Sequence, residues 1–142
     1  MTDIKNTKPV GIILRIGVMF YDSLLLLAVL FLVGVLIGPT FNITLEHPLA
    51  PLVFYLDLLV AFLFFAWSWT HGGQTLGLKT WKLKLVSTKG ESVTWKQSLL
   101  RYLASIVCWL SFGVGFLWCY TNKDRLAWND LWSNTRIQRI SV

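Results

Sequence analysis

The sequence predicts an all-α membrane protein: two transmembrane helices, a third apolar helical segment and a small cytoplasmic β element. Three observations carry that prediction. Of 142 residues, 55% are hydrophobic and 14% charged, where a soluble domain averages about 25% charged. A globule of this size has too much surface to hide so much apolar side chain. Two apolar runs each reach the ~20 residues that cross a bilayer. A lysine-rich stretch between the second and third apolar segments alternates apolar and polar residues, which is strand periodicity. Disorder needs the opposite composition and is excluded.

The chain reads as one domain, 1–142. Residues 1–10 are polar and carry Lys5 and Lys8. Residues 12–37 form the first span, which contains Arg15 and Asp22 and is ended by Gly38-Pro39. No small-residue cleavage site follows a short apolar core, so this is not a removable signal peptide. The link 40–48 has Glu46 and His47 but no Lys or Arg. Residues 49–69 form the second span, with Asp57 inside it and Trp67 and Trp69 at its end, where interfacial aromatics gather.

The basic link 70–97 carries Lys79, Lys82, Lys84, Lys89 and Lys96. Within it Trp81, Leu83 and Leu85 alternate with Lys82 and Lys84, and Lys89-Gly90 is a turn signal before Ser92-Val93; a small hairpin is expected. Thr94 with Gln97 has the form of a capping box, so a helix should begin at Trp95. The third apolar segment, 98–120, has Arg101 near its start and Gly113 and Gly115 late. The polar tail, 121–142, ends in a candidate strand holding Ile137, Ile140 and Val142.

Cytoplasmic loops collect Lys and Arg. Lys5, Lys8 and Arg15 therefore place the N terminus inside, 40–48 outside and 70–97 inside. A third full crossing would export Lys123, Arg125, Arg136 and Arg139. It would also separate the two candidate strands, and an isolated two-stranded hairpin is marginal in water; a three-stranded sheet is the better solution. Both arguments favour a re-entrant or interfacial hairpin over a third span for 98–120, with Gly113 and Gly115 allowing the bend. Irregular backbone at depth needs cover, which two spans supply only in part, so a homo-oligomer is expected if the chain transports anything.

The net charge of +6 is explained by these inner-facing segments. No nucleic-acid motif accompanies it, so the expected partners are the bilayer and anionic lipid headgroups at the basic face. Cys108 and Cys119 would lie about 16 Å apart on a continuous helix, too far for a disulfide. No nucleophile–base pair, zinc spacing or P-loop ending is present, so neither an enzyme nor a cofactor or metal site is expected. Gly34-x-x-x-Gly38 permits close helix contact but is a weak motif alone.

The charges that orientation does not explain are the candidate site. Arg15 and Asp22 share a helix face two turns, about 10.5 Å, apart. Counted from Ile12 and from Trp69, Asp22 and Asp57 reach about 15 and 18 Å into their spans. They would thus meet near the midplane, as a cation or proton site or as neutral groups bonded within the helix interface. Arg101 has Asp22, Asp130 or a lipid phosphate as its candidate partner. Asp130, between basic residues, would fix the tail strand by accepting backbone N–H bonds.

Three stretches resemble the RDD family of small, mostly bacterial membrane proteins, named for one arginine and two aspartates. The first is Arg15 with Asp22, in Leu14-Arg15-Ile16 and Phe20-Tyr21-Asp22. The second is the loop Gly73-Gln74-Thr75-Leu76-Gly77 with Lys79, followed by Leu83-Lys84-Leu85-Val86. The third is Trp128-Asn129-Asp130 with Ser133-Asn134-Thr135-Arg136-Ile137. Leu76 stands where the family often has proline, and Asn129 where histidine is frequent. The resemblance implies a multi-pass protein of a bacterial inner membrane. It also implies transport of a small ion or ligand, cation/proton exchange among the suggestions. A non-transporting accessory or assembly protein that binds a membrane partner is the alternative expectation.

Overall fold

The computed structural model describes residues 10–140, so Lys5, Lys8 and Val142 lie outside the described residues. The chain runs α1 (Ile12–Phe41), α2 (Ala50–Thr70), α3 (Leu76–Thr80), β1 (Leu83–Ser87), α4 (Trp95–Leu110), α5 (Val114–Leu117), a 3₁₀ turn (Trp118–Tyr120), α6 (Trp128–Ser133) and β2 (Thr135–Arg139). The helices α1 and α2 are long and apolar enough to cross a membrane. Gly38-Pro39 does not end the first. The helix continues to Phe41, because the Thr40 hydroxyl bonds the Leu36 carbonyl and Asn42, in the left-handed region, donates its N–H to Gly38 O.

At 30 residues, α1 is about 45 Å long, against roughly 30 Å of hydrocarbon. Its surplus lies at the N-terminal end. An apolar 18-residue stretch of mean hydropathy 2.7 has no buried residue, and since Arg15, Val18 and Asp22 are buried, that stretch starts beyond Asp22. The first turns of α1 instead join the hydrophobic core. That core is built from Val10, Val18, Trp69, Leu78, Leu83, Leu85 and Val93. It gathers at one end of the two long helices.

The sheet in this core has two strands, not three. β1 pairs antiparallel with β2, from Leu83 opposite Arg139 to Ser87 opposite Thr135. The expected local hairpin stops at its turn, where Ser87 N donates to Glu91 O. Ser92-Val93 forms no strand because the Thr94–Gln97 capping box starts α4 at once, with Thr94 N donating to Gln97 Oε1 (3.1 Å) and Gln97 N to Thr94 Oγ1 (3.3 Å). Trp81 is outside the strand as well. Lys82 takes a positive φ of 52°, so the extended backbone starts only at Leu83, and the Trp81 ring meets Tyr21 edge-on at 6.2 Å.

Helix α4 and the segment Val114–Tyr120 are bent by 109° at a short break. Gly113 (φ +81°) and Phe112 (φ 55°) make the turn in the left-handed region, which glycine enters freely. Gly115 serves differently: a Cβ there would collide with Cys108 Sγ and come within 2.8 Å of Trp128. Cys108 and Cys119 are free and buried. Because β1 precedes the bent segment and β2 follows it, their pairing returns the chain to the end of the bundle it left, as the expected fold-back requires.

Candidate functional site

Asp130 is fully buried in α6 and receives both predicted arginines. Arg15 Nη1 donates to Asp130 Oδ2 and Arg101 Nη1 to Oδ1, each at 2.6 Å. The backbone bond it accepts comes from Ala127 N at the start of its own helix (3.1 Å) and not from the tail strand as expected. The arginines carry the connection outward. Arg15 Nη2 donates to Arg125 O at 3.0 Å. Arg101 Nη1 donates to Thr135 Oγ1 at 2.9 Å, and its guanidinium lies 5.5 Å from the centre of the Trp69 ring. One carboxylate thus ties α1, α4, α6, β2 and the end of α2 together. Burial by itself raises the carboxyl's pKa, but Arg101 and Arg15, with the Ala127 N–H, hold it below its ordinary value.

Asp22 bonds neither Arg15 nor Arg101. Its Oδ2 accepts from Thr75 Oγ1 at 2.5 Å and its Oδ1 from Gly77 N at 2.8 Å. This is what the glycine-rich loop does. Thr75 caps α3 by accepting from Leu78 N, while its own hydroxyl proton goes to Asp22. Leu76 is the first residue of α3, a position where proline is favoured; leucine there leaves the helix intact. Gly73 takes φ +73° and accepts from Leu85 N (2.7 Å), and Gln74 Nε2 donates to Leu83 O (2.7 Å), clamping the loop to β1. Gly77 has no room for a side chain, since a Cβ would stand 2.8 Å from both Asp22 Oδ1 and Val18 O. Lys79 is exposed in the last turn of α3.

Asp57 is apart from both clusters. Val18 of α1 and Trp69 of α2 pack in one core cluster. From them Asp22 is about 6 Å along α1 and Asp57 about 18 Å along α2, so the two carboxylates stand about 12 Å apart in level and do not meet as expected. Both line one cavity of about 970 Å³ between α1, α2 and the α4–α5 bend. Asp57 Oδ1 is buried there with no hydrogen-bond partner among the described residues.

Sequence reasoning missed several partners. Tyr102 Oη donates to Leu58 O across α2 and α4 (3.0 Å). Asn129 Nδ2 donates to Ser105 Oγ (3.1 Å), and Ser133 and Thr135 share a hydrogen bond at 2.6 Å. Small polar residues scattered among apolar ones leave no periodic signal; Asn129, Ser133 and Thr135 stand in the third motif, while nothing in the sequence marks Ser105 or Tyr102.

The three motif stretches thus converge on one construction, an Arg15–Asp130–Arg101 centre beside an Asp22–Thr75–Gly77 clasp. No curated protein and no solved structure matches the chain. The family model described as the RDD family matches residues 9–134, most of the chain, and the protein belongs to the RDD family.

Proposed function

We propose that the protein transports a small cation, with Asp57 as the carboxylate that holds either a proton or the cation. The carrying observation is the unpartnered, buried Asp57 Oδ1 in the cavity. Asp130 is paired with two arginines and Asp22 accepts from Thr75 and Gly77, whereas Asp57 Oδ1 has neither kind of partner among the described residues. An isolated carboxyl inside a bilayer is costly and marks an ion or proton pathway. On release of its proton, the Asp57 carboxylate binds the cation; on reprotonation it lets the cation go. The two spans bury little of each other, so a closed path needs a second copy of the chain. The exposed cations Lys79, Lys82, Lys89, Lys96, Lys123 and Arg125 favour a cytoplasmic, lipid-facing setting for the core, in an inner membrane with the N terminus inside.

The test is reconstitution into vesicles with a trapped pH dye, adding Na⁺, Li⁺ and an organic ammonium in turn. Cation-driven proton movement is expected, and Asp57→Asn should abolish it while the variant keeps its thermal unfolding midpoint. No movement, or movement indifferent to that change, refutes the proposal. The accessory reading is the alternative, and the fully unburied membrane stretch of α1 favours it: that surface is free to pack against another membrane protein.

A further inference from the structure

We infer that the cation held by Asp57 is organic and lipophilic, an ammonium or phosphonium carried on an apolar body; this rests on the reading of Asp57 given above. A bare metal cation needs a shell of oxygen atoms in place of its water. Of the four hydroxyls that line this cavity, three are held by the protein: Thr75 donates to Asp22, Ser105 to Arg101 O and Tyr102 to Leu58 O, which leaves Ser23, too few oxygens for a metal's shell. What surrounds Asp57 instead is carbon. Phe54, Leu58 and Ala61 line the cavity from its own helix, and Tyr102, Trp109 and Phe116 from the bent segment. Aromatic faces attract organic cations that have no tight hydration shell to lose.

Size and access agree. About 970 Å³ lies at the upper end of cavities that take drug-sized ligands, roughly 300–1,000 Å³, far beyond what one metal ion fills. The cavity has exposed apolar lining: Phe54, Trp109 and Phe112 are 60%, 63% and 98% exposed. A cation soluble in the membrane enters past these residues; Arg15 and Arg101 also line the cavity, with their charge shared by Asp130.

The experiment is equilibrium binding of tetraphenylphosphonium to the purified full-length protein in detergent, with Na⁺, Li⁺ and uncharged triphenylphosphine oxide as comparisons. Saturable tetraphenylphosphonium binding is expected, unmoved by a large excess of NaCl or LiCl. Asp57→Asn should weaken it at least about tenfold, Trp109→Ala should weaken it less, and Asp57→Glu should retain it. The unfolding midpoint of each variant controls for folding. Binding of Na⁺ or Li⁺ that depends on Asp57, without tetraphenylphosphonium binding, overturns the organic cation and leaves the cation reading standing. Equal binding of the uncharged analogue, indifferent to Asp57→Asn, means the cavity holds only lipid-like molecules and overturns both. No Asp57-dependent binding of any cation also overturns both.

Discussion

Asp130→Asn removes the charge that two buried guanidiniums share. The side chain is wholly buried, and Arg15 and Arg101 are exposed by only 8% and 6% of their side-chain surface, so water cannot replace what is lost. Breaking a buried ion pair from one side costs about 3–5 kcal/mol. That is a large share of the roughly 5–15 kcal/mol that holds a domain folded, and for a chain of this size it corresponds to roughly 6–20 °C in midpoint. Cys108 and Cys119 are free and buried, which supplies the assay: a thiol-reactive dye reports unfolding in detergent as the temperature rises. The pH dependence follows from the lowered pKa of Asp130. A carboxyl with a lowered folded-state pKa contributes stability that is present above its unfolded value, about 3.9, and is lost as pH falls through the folded value. The wild-type midpoint should therefore drop on acidification below the ordinary carboxylate range, and that drop should be flatter in Asp130→Asn. A midpoint within about 2 °C of wild type, less than 1 kcal/mol on the same scale, would refute the tie. Replacing Arg15, Arg101 and Asp130 together by apolar residues should recover much of the loss, since buried ionic clusters often exchange neutrally for packed hydrophobes.

Thr75→Val should cost about 1 kcal/mol for the lost cap and more for the Asp22 hydroxyl partner, read as a lower midpoint in the same thiol assay. Gly77→Ala should be at least as damaging, because its Cβ meets backbone and carboxylate at 2.8 Å; a midpoint equal to wild type would mean α1 and α3 are not in this contact. Single cysteines at Lys89 and Asn134, in a background without Cys108 and Cys119, should label from the same side of sealed vesicles, and one at Thr44 from the opposite side. Labelling of Asn134 together with Thr44 would sink the fold-back arrangement.

The spans were legible because apolar length is a one-dimensional property. So were the α4 cap, which needs only Thr94 and Gln97, and the bend at Gly113, where a positive φ asks for glycine. The centre was legible in its members and not in its pairing. Arg15 and Asp22 share a helix face in the sequence, yet each finds its partner elsewhere, Arg15 in α6 and Asp22 in the α3 loop. Such matches depend on how α1 meets the core, which no local pattern encodes. Depth is not local either: hydropathy counts Ile12 to Val18 as membrane, while Leu14, Arg15 and Val18 of that stretch pack into the core. The resemblance helped where local physics was silent, since it set Thr75, Gly77 and Asp130 in one frame with Arg15.

The Arg15–Asp130 contact joins residues 115 positions apart, and that separation orders events in time. A ribosome adding about 5–20 residues per second needs roughly 6–23 seconds to deliver Asp130 after Arg15. For that interval α1 and α2 are already apolar enough to insert, while Arg15 has no carboxylate and β1 has no second strand. Orientation is therefore decided before the core can close, and Arg15 acts as a retained cation at one boundary first and as a packed ion later. A chain that stops before residue 130 would insert with the same topology and remain open at that end, exposing Leu83, Leu85 and Val93 to whatever monitors unfinished membrane proteins.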